Sequence, residues 1–143
     1  MESVMLIGEY QHNIDPKGRV FIPVHIRDDL GGRFIVTKGI DGCLCAYSMS
    51  AWQVLETKLR GLPMSRARDL QRFFFSGAAD VEIDRQGRVL ISAALREYAA
   101  LTKDVVITGQ SDHAEIWDKQ RWEQVCAGIT PEKVKKTMDE YAI

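Results

Sequence analysis

The strongest constraint on the fold is a repeat. Ile14-Asp15-Pro16-Lys17-Gly18-Arg19-Val20-Phe21-Ile22 returns 69 residues later as Ile83-Asp84-Arg85-Gln86-Gly87-Arg88-Val89-Leu90-Ile91. The Ile, Asp, Gly, Arg, Val and second Ile are identical in both copies, and so is the more distant pair Arg27 and Arg96. Val36 matches Val105 at the same offset, while Gly39 matches Gly109 and Trp52 matches Trp122 one residue further on. Duplication over this length marks a structural module, so an internal two-fold is expected. Each half, of roughly 70 residues, is marginal alone. The economical solution is one shared core.

Residue pattern gives the content of each half. Asp15-Pro16-Lys17-Gly18 has the composition of a type I turn, with Asp first, Pro second and Gly fourth. Strands are expected over Met5–Tyr10 and Arg19–Ile22 around it. Pro23 opens a short helix, Val24–Leu30, with apolar face Val24, Ile26 and Leu30, and Gly31-Gly32 ends it. Arg33–Lys38 and Leu44–Tyr47 then make a strand pair. Ser50 with Gln53 reads as a capping box for a helix through Leu59, and Ser65 as the cap of a helix to about Phe74. In the second half Ser92 and Asp118 cap helices, and Thr130-Pro131-Glu132 opens a last one. The expected class is α+β: duplicated ββαββα units interleaved into one pseudo-two-fold small β-barrel with flanking helices. The expected segments are 1–62, 63–128 with its leading helix, and a C-terminal helix over 129–143.

The repeated Asp-x-x-Gly-Arg loop carries the chemistry, and two readings stand. In one it is only a well-made hairpin, with Arg19 or Arg88 paired to its own Asp15 or Asp84. In the other, Asp15 and Asp84 stiffen turns that Gly18 and Gly87 permit. Arg19 and Arg88 then project a planar fork toward phosphate or a guanine edge. Lys17 and Arg85 add charge at the tips. Arg27 and Arg96 suit an internal salt bridge at least as well as a phosphate. Arg66, Arg68 and Arg72 form no single helix stripe. Phe73-Phe74-Phe75 suits core packing or a subunit interface, and Trp52, Trp117 and Trp122 read as core.

Composition excludes several classes. The net charge of −1 is not that of a globally basic nucleic-acid binder, so such a role needs locally concentrated charge. No nucleotide-binding or hydrolase motif occurs, so no enzymatic activity and no cofactor are expected. Three scattered histidines and three cysteines without a C-x-x-C spacing suggest reduced thiols, no metal site and a cytoplasmic protein. No apolar run approaches membrane-spanning length, and no secretory signal is expected.

The residues resemble the MraZ family. The resemblance rests on Gly8 through Pro23, Thr37-Lys38-Gly39-Ile40-Asp41-Gly42-Cys43-Leu44, Phe74-Phe75-Ser76-Gly77-Ala78, Asp84 through Ile91 and Glu115-Ile116-Trp117-Asp118. It runs from about Met5 to Trp122. It implies a bacterial transcriptional regulator with two copies of an AbrB-like fold. Such a protein is expected to bind short tandem repeats in its own division and cell-wall gene cluster promoter, often as a repressor. It is also expected to assemble into a ring-shaped homo-oligomer, to associate with the nucleoid, and to need no small-molecule substrate. Asp15 and Arg19, and Asp84 and Arg88, fall on the family's motif, while Ser92 stands where the first copy has Pro23. An oligomeric protein-binding scaffold and an AbrB-type antitoxin are the alternatives.

Overall fold

The computed structural model describes residues 5–143. The first copy contributes β1 (Glu9–Asn13), β2 (Arg19–Phe21), α1 (Val24–Leu30), β3 (Arg33–Lys38), β4 (Leu44–Ser48) and α2 (Met49–Arg60). After α3 (Met64–Ser76) the second copy repeats the order as β5 (Ala79–Glu82), β6 (Arg88–Leu90), α4 (Ala93–Tyr98), β7 (Asp104–Gly109), β8 (Ala114–Asp118) and α5 (Lys119–Ala127). Helix α6 (Pro131–Glu140) follows and buries no residue. The α+β class and the duplicated ββαββα unit are as the repeat implies.

Six strands form one antiparallel sheet in the order β1-β7-β8-β4-β3-β5. Exchanging the two copies reverses this order and leaves it unchanged, which is the signature of a pseudo-two-fold. The opening strand of each copy pairs with the third strand of the other: β1 with β7, and β5 with β3. Neither half could therefore complete the sheet alone.

Strands β2 and β6 stand apart as a two-stranded ribbon, with Arg19 opposite Leu90, Val20 opposite Val89 and Phe21 opposite Arg88. Among the described residues no ladder joins β1 to β5, so the sheet does not close on itself. The ribbon fills the opening, with β2 against β1 and β6 against β5. Val20, Ile22, Val89 and Ile91 enter the core shared with Phe34, Val36, Leu44, Val105, Ile107 and Ile116. Burying each such side chain contributes roughly 1.5–3 kcal/mol.

Several local expectations shift. The first ladder strand is Glu9–Asn13, and within the expected Met5–Tyr10 stretch only a single bridge, Leu6 to Ser111, precedes it. An edge strand built from Glu-Tyr-Gln-His-Asn is held by backbone pairing and leaves little apolar alternation to recognise. Helix α2 is capped by Ser48, whose hydroxyl accepts from the Ala51 amide at 3.2 Å, and Ser50 lies inside the helix. Helix α3 begins after Pro63 with no side-chain cap, so Ser65 is also internal. Val24 is exposed, and the inward face of α1 is Ile26 and Leu30. Trp117 is buried, whereas Trp52, Trp122 and Phe73 to Phe75 are half-buried. Ser92, Asp118 and Thr130 cap their helices as the sequence suggests.

Candidate nucleic-acid interface

Both repeated loops are tight turns held by their own aspartate. In the first, the Gly18 amide donates to the Asp15 carbonyl at 2.9 Å. Asp15 Oδ1 accepts from the amides of Lys17 at 2.9 Å and Arg19 at 2.8 Å. In the second, the Gly87 amide donates to the Asp84 carbonyl at 3.1 Å, and Asp84 Oδ1 accepts from Gln86 at 2.8 Å and Arg88 at 3.0 Å. Gly18 and Gly87 have φ of 89° and 80°, a region L side chains rarely adopt. The Arg19 amide and its guanidinium hold the Asp15 carboxyl down to about 2, with Lys17 adding to the effect. The Arg88 and Gln86 amides lower Asp84 in the same way. Each carboxylate stays ionised at neutral pH because its charged form collects the loop's hydrogen bonds.

Each turn is braced by the other copy. The Ile22 amide donates to the Gly87 carbonyl, and the Ile91 amide to the Gly18 carbonyl, both at 2.9 Å. Arg96 from α4 donates through Nε to the Ile91 carbonyl at 3.1 Å and lies against Gly18. Its counterpart Arg27 from α1 lies against Gly87, with its guanidinium carbon 5.3 Å from the Phe21 ring centroid. A Cβ added to Gly18 would come within 2.8 Å of the Arg96 guanidinium carbon, and one on Gly87 within 3.0 Å of that of Arg27. Among the described residues neither arginine forms a salt bridge. Both act as cross-copy struts.

The ribbon places Arg19, Phe21, Arg88 and Leu90 on its outer face because Val20 and Val89 point inward. Arg19 and Arg88 are diagonal neighbours there and converge on one carboxylate. Arg19 Nε donates to Asp15 Oδ2 at 2.8 Å, and Arg88 Nη1 lies 3.4 Å from the same oxygen. The first copy therefore matches the simple hairpin reading, while in the second Arg88 crosses to Asp15 and leaves Asp84 to the backbone. The two side chains are 34 % and 36 % exposed. Among the described residues Arg19 keeps both terminal nitrogens free of protein partners. Asp15 engages Arg19 through the Nε edge. Lys17 and Arg85 are exposed at the two tips. His12 packs beside the ribbon with its ring centroid 4.9 Å from that of Phe21, and burial lowers its pKa, so it adds no charge at neutral pH.

Among the described residues the two turns gather Lys17, Arg19, Arg85 and Arg88, with Arg27 and Arg96 behind them, around Asp15 and Asp84. A nearly neutral chain acquires a local cationic ridge.

A different constellation lies on the opposite face of the sheet. Cys43, Cys45 and Glu115 come together there, although their linear spacing carries no ligand signature. The neighbouring thiols act on each other, lowering the pKa of Cys45 and raising that of Cys43. Hydrogen bonding to Cys45 and Asp112 raises His113 to about 9. Cross-strand register, which sequence spacing does not reveal, makes this cluster.

Fold and ribbon define a duplicated protein that presents paired basic hairpins from one core. A family model described as "MraZ protein, putative antitoxin-like" matches twice, over residues 5–73 and 74–140. The transcriptional regulator MraZ of Heliobacterium modesticaldum is 57% identical over 120 residues, covering 82% of this chain and 84% of that protein. Its namesake from Moorella thermoacetica is 50% identical over 139 residues, covering 96% and 92%. That of Caldicellulosiruptor saccharolyticus is 48% identical over 143 residues, covering 97% and 100%. The chain belongs to the MraZ family, a family of transcriptional regulators rather than enzymes. No helix among the described residues is long and apolar enough to cross a membrane.

Proposed function

We propose that this chain is a sequence-specific DNA-binding regulator, with the β2–β6 ribbon as its contact surface. The observation that carries this reading is the convergence of Arg19 and Arg88 on Asp15. Two guanidinium groups share one carboxylate, retain outward N–H groups and sit on turns locked from both copies. A rigid, partly neutralised fork suits bidentate recognition of phosphate or a guanine edge better than a loose lysine patch does. Lys17 and Arg85 add phosphate contacts, and Asp15, Asp84, Gly18 and Gly87 hold the geometry.

One ribbon offers few contacts, so tight binding requires several subunits on one duplex. Exposed apolar side chains on α2 and α3, including Val54, Met64 and Leu70, favour self-association into a homo-oligomeric ring. Repeated ribbons would then read phased short repeats, and the proposed target is the promoter of the protein's own division and cell-wall gene cluster, with repression as the outcome. Footprinting on DNA immediately upstream of the gene tests this. Protection at regularly spaced repeats, lost in Arg19→Ala, is expected; uniform or absent protection by folded protein refutes it.

A further inference from the structure

The face of the sheet turned away from the ribbon carries side chains that DNA binding does not use. Strands β4 and β8 pair with Cys45 opposite Glu115. Strand alternation puts Cys43 on the same face as Cys45. The two sulfurs and a Glu115 carboxylate oxygen all lie within 4.8 Å of one another. Both cysteines are buried and unbridged. His113 sits just before β8, stacked on Tyr47 with ring centroids 5.2 Å apart, and its Nε2 lies 4.0 Å from Glu115 Oε2.

Neighbouring groups orient both polar ligands. His113 Nδ1 is 2.7 Å from Asp112 Oδ1, which holds the ring with Nε2 toward Glu115, and a cation taking Nε2 displaces its proton. Trp117 Nε1 donates to Glu115 Oε1 at 3.0 Å, which leaves Oε2 toward His113. A carboxylate behind the imidazole and an indole behind the carboxylate are the supports that metal ligands commonly have.

We propose that Cys43, Cys45, His113 and Glu115 bind one zinc-class divalent cation. Two sulfurs, one imidazole and one carboxylate make a four-ligand set that suits zinc, whereas calcium and magnesium require oxygen ligands throughout. Ligand atoms around tetrahedral zinc are roughly 3.5 Å apart, so Cys43, Cys45 and Glu115, within 4.8 Å of one another, close by about an ångström, and His113, outside that trio and 4.0 Å from Glu115, swings in as the fourth ligand. His113 and Glu115, 23% and 17% exposed, form the entrance, with the sulfurs behind them. The cation would clamp β4 of the first copy to β8 of the second. That ladder spans three residue pairs, the shortest in the six-stranded sheet.

The test uses the reduced, chelator-treated full-length chain, titrated with cobalt(II) as a spectroscopic stand-in for zinc. Saturation at one cobalt per chain is expected, with a sulfur-to-metal charge-transfer band and the intense visible absorption of a tetrahedral site. Zinc should displace the cobalt and raise the Tm by about 5–10 °C near a hundredfold excess over Kd. The double variant Cys43→Ser/Cys45→Ser should abolish the charge-transfer band, and His113→Gln and Glu115→Gln should each weaken binding about tenfold or more. Cys126→Ser, at an exposed thiol, should change nothing. Absence of the band, its persistence in the double variant, or its loss in Cys126→Ser overturns the proposal. Should the double variant fail to fold, unchanged cobalt affinity in folded Glu115→Gln overturns it equally.

Discussion

Replacing Arg19 by Ala removes one arm of the shared-carboxylate fork and leaves the ribbon's inward side chains untouched. Val20 and Val89 remain fully packed, and Asp15 keeps both backbone amides and its approach to Arg88. The side chain is about a third exposed, so its ion pair with Asp15 is solvent-screened and adds little to stability. The Tm should therefore stay within about 4 °C of the parent. Binding should respond far more. A bidentate guanidinium contact to a base is worth about 1–3 kcal/mol, or roughly 5- to 150-fold in affinity for each engaged subunit. Were the contact instead to phosphate, the slope of log affinity against log salt should become shallower by about 0.9 per engaged subunit. Fluorescence anisotropy on promoter DNA between about 50 and 200 mM salt separates the two cases. A folded Arg19→Ala protein with unchanged affinity and unchanged salt slope would remove Arg19 from the interface and with it the reason for the converging fork.

Gly18→Ala should destabilise the ribbon by about 1–2 kcal/mol from backbone strain alone, with more from displacing Arg96; a urea midpoint equal to the parent's would contradict the strut. Ile22→Ala, at a fully buried ribbon position, should cost about 2–5 kcal/mol in chemical denaturation, and a loss under 1 kcal/mol would mean the ribbon is not part of the core. The Asp15 carboxyl should titrate near pH 2 by NMR, below its usual value. Because the folded pKa is depressed, its contribution is present above the ordinary carboxylate range and disappears as pH falls from about 4 to about 2; a normal titration midpoint would show that the loop hydrogen bonds do not form in solution.

Much of the candidate surface is legible in the residues because turns are local. Asp15, Gly18, Asp84 and Gly87 specify their hairpins through bonds spanning two to four residues. The same locality made α1 and the caps at Ser92, Asp118 and Thr130 readable. Where two nearby residues compete for one role, tertiary packing decides. Ser48 caps α2 in place of Ser50 because β4 runs directly into the helix, leaving no intervening loop. Arg27 and Arg96 could not be assigned from their own helices, since each finds its partner glycine in the other copy. The metal-ligand cluster was equally hidden: Cys45 and Glu115 are 70 residues apart and meet only through the β4–β8 register.

Duplication, turn chemistry and helix capping were set by the chain's local order, because their energies depend on neighbours a few residues away. The crossing of β1 to β7 and β5 to β3, the reach of Arg88 to Asp15, and the gathering of Cys43, Cys45, His113 and Glu115 were decided in three dimensions. In each case the partner is the copy that lies across the pseudo-two-fold. Each half exposes strand edges and apolar faces that only the other half can cover, and burying them brings distant groups within bonding distance.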